Sequence, residues 1–213
     1  MKKKVFAIFA CMLLVLSVGC GKKDPAPETP DTDTPAVETE LSEPLTAEET
    51  RQFYADAMEL YADISMADFE VDTEKSIVKD EYKYYYKIED ARFESYDDFY
   101  RYLNQYFTKN LIQSENMIDE ELFTEGKDGC LYLLAAGRGT DIFYAGYSVG
   151  EPAVTEDSIK FDVTAYYTSD EPYDGEIFTE APEGPIDFET ETYTFKLVPE
   201  DGAWKFDNFR MFY

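Results

Sequence analysis

Residues 84–108 read YYYKIEDARFESYDDFYRYLNQYFT, and within them the hydrophobic period changes from that of a strand to that of a helix. In residues 82–88, aromatic or aliphatic side chains hold every second position, which predicts a strand with one aromatic face. After Ser95 the apolar residues recur at intervals of three and four, which predicts a helix with Ser95 as its N-cap. A strand is therefore followed closely by a helix.

A first helix is predicted upstream, over residues 46–64. Thr46 and Glu49 have the spacing of a capping box, in which each side chain accepts a hydrogen bond from the backbone of the other residue, and apolar residues then share one helical face. Short helical segments are also expected near residues 109–113 and 119–122.

After residues 128–129, an Asp-Gly pair, the pattern is that of strands alone. The predicted strands cover residues 130–136, 142–154, 158–168, 188–198 and 203–212. The last two are joined by PEDG at residues 199–202, whose proline-first and glycine-last chemistry predicts a turn and hence a hairpin. Helices followed by a run of antiparallel strands indicate an α+β fold.

The N-terminal segment has the organisation of a bacterial export signal. Lys2 to Lys4 are followed by fifteen uncharged residues, 5–19, which suit a signal-peptide core but are fewer than the roughly 20 residues of a spanning helix. The segment ends in LSVGC, which resembles a bacterial lipobox, so residues 1–19 are predicted to be removed and Cys20 to become a lipidated N-terminus. The alternative is an ordinary secretory signal in which Cys20 has no role.

Residues 20–44 are predicted to be the lipidated cysteine and a disordered, acidic, proline-rich tether. Residues 45–213 then form a single α+β domain, which is long enough to bury one core. We therefore expect the protein to lie on the extracytoplasmic face of the bacterial cell membrane, attached through its lipid anchor only.

The composition excludes much of the known catalytic and metal chemistry. The chain has no histidine, which rules out Ser-His-Asp and Cys-His catalytic arrangements and histidine-ligated zinc sites. Of its three cysteines, Cys11 leaves with the signal and Cys20 carries lipid, so Cys130 is left without a disulfide partner. No catalytic residue, metal site or cofactor is predicted.

The net charge of the full sequence is −27, and loss of the three signal lysines makes it −30. Such a polyanion repels phosphates, so nucleic acid is not expected as a partner. An acidic surface either favours solubility or steers a basic protein partner towards the chain. The sequence leaves these two roles open.

The order helix, strand, helix and then long antiparallel strands, ending in VPEDGAWKFDNF, looks like the cone-shaped nuclear-transport-factor-2-like fold. Residues 84–108, followed by DGCLYLLAAGRGTD at 128–141, resemble the bacterial DL-endopeptidase inhibitor family of the IseA type. The resemblance implies N-terminal helices packed on a curved, cone-like antiparallel sheet. It also implies an exported inhibitor that occupies the active-site groove of cysteine peptidases that cut peptidoglycan stem peptides.

The chain departs from that family in its anchor and tether and in a longer acidic insertion, TSDEPYDGEIFTEAPEGPIDFE at residues 168–189. By the same resemblance, the target peptidases cleave beside an acidic D-glutamyl residue, so an acidic loop could imitate the substrate. The candidate partner-binding residues come from this insertion and from the GRGTD segment: Asp170, Glu171, Tyr173, Asp174, Glu176, Phe178, Arg138 and Asp141. The alternative is a disordered surface insertion between two strands.

Two other functions stay open at this point. The cone of this fold often holds a pocket, so a small-ligand-binding protein or an enzyme is one alternative, and a deep closed pocket with a carboxylate of raised pKa would favour it. The other is an envelope adaptor that binds a basic protein without inhibiting a peptidase.

We expect mass spectrometry of the mature N-terminal peptide to find Cys20 as the first residue, with a diacylglyceryl group on its sulfur. The reason is the short apolar run that ends in the Gly-Cys pair. An unmodified Cys20 inside a longer chain, or cleavage at another position, would contradict the lipoprotein interpretation.

Overall fold

The computed structural model describes residues 43–134, 136, 138–183 and 188–212. The predicted signal, Cys20 and nearly all of the predicted tether lie outside the described residues, as do residues 184–187 of the acidic insertion. No helix within the described ranges is long and apolar enough to cross a bilayer.

Three helices and nine strands make up the described part of the chain. The helices are α1 (Ala47–Met66), α2 (Tyr96–Tyr106) and α3 (Lys109–Ser114). One antiparallel sheet has the order β1-β2-β4-β3 and consists of β1 (Val71–Lys79), β2 (Lys83–Ile88), β3 (Phe123–Glu125) and β4 (Leu131–Leu134). The second has the order β5-β7-β8-β9, with β6 also paired to β7, and consists of β5 (Tyr144–Val149), β6 (Ala153–Val154), β7 (Ile159–Tyr167), β8 (Glu189–Glu200) and β9 (Ala203–Asn208). The predicted α+β class is confirmed.

The first two helices begin where the sequence predicts. At the start of α1, the Glu49 carboxylate accepts a hydrogen bond of 2.8 Å from the Thr46 N–H, and the Thr46 hydroxyl accepts one of 3.2 Å from the Glu49 N–H. At the start of α2, the Ser95 hydroxyl accepts a bond of 3.1 Å from the Asp98 N–H. The capping residues read from the sequence therefore set these two boundaries.

The predicted C-terminal hairpin is also present, but its turn is shorter than PEDG. Strands β8 and β9 stay paired up to Glu200 and Ala203, so the loop consists of Asp201 and Gly202 alone. Both loop residues have positive φ, 55° and 82°, as a type I′ turn requires. Pro199 lies in β8, one residue before the end of the strand.

Several elements differ from the sequence-based prediction. Strand β1 was not predicted, because most of its side chains are exposed and show no alternation of polar and apolar residues. The predicted strand at 142–154 is divided into β5 and β6, with Pro152, which has no N–H to donate, in the interruption. Residues 119–122 form a turn rather than a helix, since the Asp119 carboxylate accepts the Glu121 N–H at 2.9 Å.

An aromatic core joins the helices to both sheets. The ring of Tyr54, on α1, is fully buried and lies 5.0 Å from the ring of Phe195 and 5.3 Å from that of Tyr147, so α1 packs on the five-stranded sheet. The ring of Phe99, on α2, lies 5.2 Å from that of Phe123 in the four-stranded sheet. All of these side chains except Tyr147, which packs against them, belong to one buried cluster.

Arg92, in the connection between β2 and α2, holds that connection against the end of α1. Its guanidinium forms ion pairs of 2.6 Å with Asp90 and 2.7 Å with Asp63, and lies 5.9 Å from the ring centroid of Phe69. Burial raises the pKa of Asp63, with Arg92 opposing the change. At Asp90 burial acts in the same sense, but the hydrogen bonds from Arg92 prevail and the pKa is lowered.

Replacement of this cation should destabilise the fold. We expect Arg92→Ala to lower the free energy of unfolding by about 2–3 kcal/mol, because it leaves the half-buried carboxylates of Asp63 and Asp90 without their cation. Arg101→Ala is the matched control, since Arg101 is 73% exposed and pairs with Asp98 at the surface, so its removal should change stability by less than about 1 kcal/mol. Urea unfolding measures both variants at constant m-value. Equal losses would contradict the proposed role of Arg92.

Candidate functional site

Two segments that are distant in the sequence are neighbours in the structure. Residues 138–143 lead into β5, and residues 168–188 connect β7 with β8. Thr168 donates its N–H to the Phe143 carbonyl at 2.9 Å, and Tyr173 donates its N–H to the Ile142 carbonyl at 2.9 Å. We define the acidic loop as residues 168–183. Its first half is therefore hydrogen-bonded to the segment that contains GRGTD.

The acidic loop returns to the sheet at Phe178. The Phe178 N–H donates to the Ala145 carbonyl at 3.2 Å, and the Phe178 carbonyl accepts from the Tyr147 N–H at 2.9 Å. These two bonds form a parallel bridge opposite Gly146. Because β5 is the edge strand of its sheet, the bridge attaches the loop to the outer edge of that sheet.

The aromatic side chains of the loop pack against one another and against two neighbouring rings. The ring centroid of Phe178 lies 5.4 Å from that of Tyr166, 5.6 Å from that of Phe188 and 6.4 Å from that of Tyr173. Both Tyr173 and Phe178 are half-buried. From the sequence, both residues are predicted to contact a partner protein. In the structure, their rings support the loop from within. Their contact with a partner stays a prediction.

Between its bond to Ile142, which precedes β5, and its bridge to β5 at Gly146, the loop projects into solvent. We define the tip as residues 174–177, all of which are exposed, with Ile177 exposing 53% of its surface. The Tyr173 hydroxyl donates a bond of 2.9 Å to the Glu176 carbonyl, which closes the projection on itself. The tip thus presents Asp174 and Glu176 together with one apolar side chain.

The carboxylates of the acidic loop are exposed. Within the described residues, none of them forms an ion pair, and they are Asp170, Glu171, Asp174, Glu176, Glu180 and Glu183. Their negative charge is therefore not neutralised by neighbouring lysine or arginine side chains. It is available to a basic partner.

The two candidates from the GRGTD segment lie apart from each other. The Arg138 guanidinium donates a bond of 3.2 Å to the Ser65 carbonyl in the last turn of α1. The Asp141 carboxylate accepts the Phe143 N–H at 2.9 Å, beside the acidic loop. Burial raises the pKa of Tyr167 to about 12, and the charges of Glu191 and Asp141 add to this effect. Asp141 therefore adds to the negative field around the loop, whereas Arg138 caps a helix.

Two features of the described residues bear on the small-ligand alternative. A cleft of about 690 Å³ lies between the start of α1, the end of β5 and residues 179–181 of the acidic loop, and it is open to solvent. Asp63 is a carboxylate whose pKa is raised by burial, and it is already paired with Arg92. In the part of the chain that the structure describes, no group of His, Cys, Asp and Glu residues could hold a metal ion.

Sequence reasoning missed the residue on β5 that receives the loop. Gly146 has a φ of 149° and lies at a register shift in the pairing of β5 with β7. The signal was present in YAGYSV at residues 144–149, because an isolated glycine within a strand pattern indicates a bulge or a close approach of another backbone. Which backbone approaches could not be read, since Phe178 belongs to a distant loop.

Comparisons with known proteins agree with the resemblance noted from the sequence. The family model described as IseA DL-endopeptidase inhibitor matches residues 41–210, a range that includes both sheets and the acidic loop. No curated protein matches the chain.

Proposed function

Because this chain belongs to the IseA DL-endopeptidase inhibitor family, we propose that it inhibits cysteine DL-endopeptidases of the cell wall by occupying their active-site groove with its acidic loop. The family is one of endopeptidase inhibitors and not of enzymes, so the role of the chain is inhibition rather than catalysis. The observation that carries the loop assignment is the exposed tip, which is held at one end by the bond to Ile142 and at the other by the bridge to β5, and which presents two carboxylates that have no ion-pair partner among the described residues.

The chemistry of the tip suits a groove that accepts an acidic peptide. Asp174 and Glu176 offer carboxylates at alternate positions, and Ile177 offers exposed apolar area between them and the sheet. Apolar anchors within a polar rim supply most of the affinity in protein interfaces, while charges at the rim act mainly on the association rate. An acidic substrate and this tip would therefore compete for the same groups of the peptidase.

The attachments of the tip also explain how it could occupy an active site without being cleaved. Cleavage requires the scissile carbonyl to reach a near-attack geometry beside the nucleophile. Here the flanking backbone is held by the bond from Tyr173 to Ile142 and by the two bonds of Phe178 to β5. A segment that is held on both sides cannot adopt the extended, mobile conformation of a substrate without breaking these bonds.

We place this activity at the outer surface of the cell membrane. The proposal includes the lipid anchor on Cys20 and the acidic tether of residues 20–44, which follow from the sequence. An anchored inhibitor would act on peptidases close to the membrane, within the reach of the tether. An adaptor that binds a basic envelope protein without inhibiting it is the competing hypothesis.

Removal of the acidic loop should separate inhibition from folding. We expect a chain in which residues 169–187 are replaced by a short glycine-serine turn to stay folded, because β7 and β8 pair along the whole length of β7. It should lose inhibition of a purified cysteine DL-endopeptidase on soluble peptidoglycan fragments by about 30-fold or more, the loss expected for a true hot spot. A folded variant that inhibits as well as the parent would contradict the loop assignment, and the GRGTD segment would become the next candidate.

The charge of the tip should act on association. We expect Asp174→Asn combined with Glu176→Gln to slow association with the peptidase and to reduce its dependence on salt, because electrostatic steering weakens as ionic strength rises. The matched control is Asp80→Asn with Glu74→Gln, which makes the same change in net charge on the exposed β1–β2 hairpin. Association rates from stopped flow at several salt concentrations measure both pairs. Equal effects would mean that only net charge matters.

A further inference from the structure

The contact between Gly146 and Phe178 leaves no room for a side chain on β5. A Cβ atom built on Gly146 would lie 2.2 Å from the Phe178 carbonyl oxygen and 2.7 Å from the Phe178 nitrogen. Gly146 also has a φ of 149°, which residues with a side chain rarely adopt. The lack of space for a Cβ atom and the unusual φ therefore occur at the position where the loop backbone contacts the edge of β5.

We propose that Gly146 and Phe178 are positioning residues for inhibition, which hold the tip in its binding conformation before the peptidase arrives. This inference rests on the proposed function of the acidic loop. Gly146 permits the parallel bridge, and the ring of Phe178 is seated between Tyr166, Tyr173 and Phe188. Neither residue has to touch the peptidase.

The bridge affects binding because it is one of the two attachments that enclose the four residues of the tip. The Tyr173 N–H fixes the start of the tip to Ile142, and the Phe178 bridge fixes its end to β5. If the bridge is lost, the tip samples many conformations, and its apparent affinity falls by the fraction of time that it spends in the competent one. A competent fraction of one in ten would weaken inhibition about tenfold.

The competing explanation gives the bridge a structural role alone. Edge strands expose unpaired backbone groups, and proteins often cover them with a loop. In that case, loss of the bridge would lower stability and leave inhibition by the folded protein unchanged. The two explanations therefore differ in what happens to binding when the loop is released from a sheet that is still folded.

The test compares Gly146→Ala with Gly129→Ala in the full chain purified in detergent. Gly129 also has a positive φ, 76°, but nothing lies within 4 Å of a Cβ atom built on it, so Gly129→Ala controls for backbone strain without displacing the loop. We expect both variants to lose some stability. In Gly146→Ala alone, the amides of Tyr147 and Phe178 should exchange faster with deuterium, and inhibition of the cysteine DL-endopeptidase should weaken about tenfold or more.

Two further variants keep the inference falsifiable if Gly146→Ala does not fold. Phe178→Ala removes the seated ring and should weaken inhibition in the same way, whereas Phe178→Tyr keeps the ring and should retain inhibition. Because all of these variants keep every carboxylate, the salt dependence of association should match that of the parent. That result separates loss of position from loss of charge.

The outcomes are distinguishable from failure of the proposed function. Fast exchange at Phe178 with undiminished inhibition would overturn the inference, and so would a Gly146→Ala chain whose loop amides stay protected. If the parent does not inhibit the peptidase, or if the chain without residues 169–187 inhibits as well as the parent, the proposed function fails first.

Discussion

The contact of α1 with the five-stranded sheet decides where the rest of the molecule lies. Tyr54 is fully buried on α1, and its ring meets that of Phe195 on β8, that of Phe161 on β7 and that of Tyr147 on β5. Burial of one aromatic side chain stabilises the fold by about 2–3 kcal/mol. Because one side chain reaches three strands, it fixes the position of α1 on that sheet.

The same contact extends to the surface through Tyr147. Its ring packs against that of the buried Tyr54, while its backbone N–H donates to the Phe178 carbonyl at the outer edge of β5. The acidic loop is thus attached to a strand that is itself fixed by the core. Around this attachment the aromatic rings of the loop pack against one another and against Tyr166, while its carboxylates stay exposed, because burial of a charge without a partner costs far more than burial of a ring gains.

The two sheets meet solvent in different ways. Strand β1 is a nine-residue edge strand, and lysines lie along it and the neighbouring β2 at Lys75, Lys79, Lys83 and Lys87. Charged side chains on an exposed edge discourage pairing with other chains. At the edge of the other sheet, β5 carries the bridge to the acidic loop instead of lysines. One edge is therefore protected by charge, and the other supports the loop that we assign to partner binding.

Short sequence patterns are sufficient to predict the local features. The caps of α1 and α2, the C-terminal hairpin and the α+β class follow from short patterns, because a cap or a two-residue turn depends on residues within a few positions of one another. The family resemblance could also be recognised from the sequence, and the match of the family model over residues 41–210 confirms it. Strand β1 was not predicted, because an exposed edge strand lacks the alternation of polar and apolar residues that burial of one face imposes.

The arrangement of the candidate residues depends on the tertiary fold. The sequence predicts Tyr173 and Phe178 as partner contacts, and the structure adds that their rings pack against each other within the loop and that Ile177 is an exposed apolar side chain of the tip. The need for glycine at position 146 is explained by the Phe178 backbone, which leaves no space for a side chain there. The packing of these rings and the approach of Phe178 to Gly146 both depend on contacts between residues far apart in the chain. Such contacts cannot be predicted from local composition, because it does not specify which distant backbone comes within hydrogen-bonding distance.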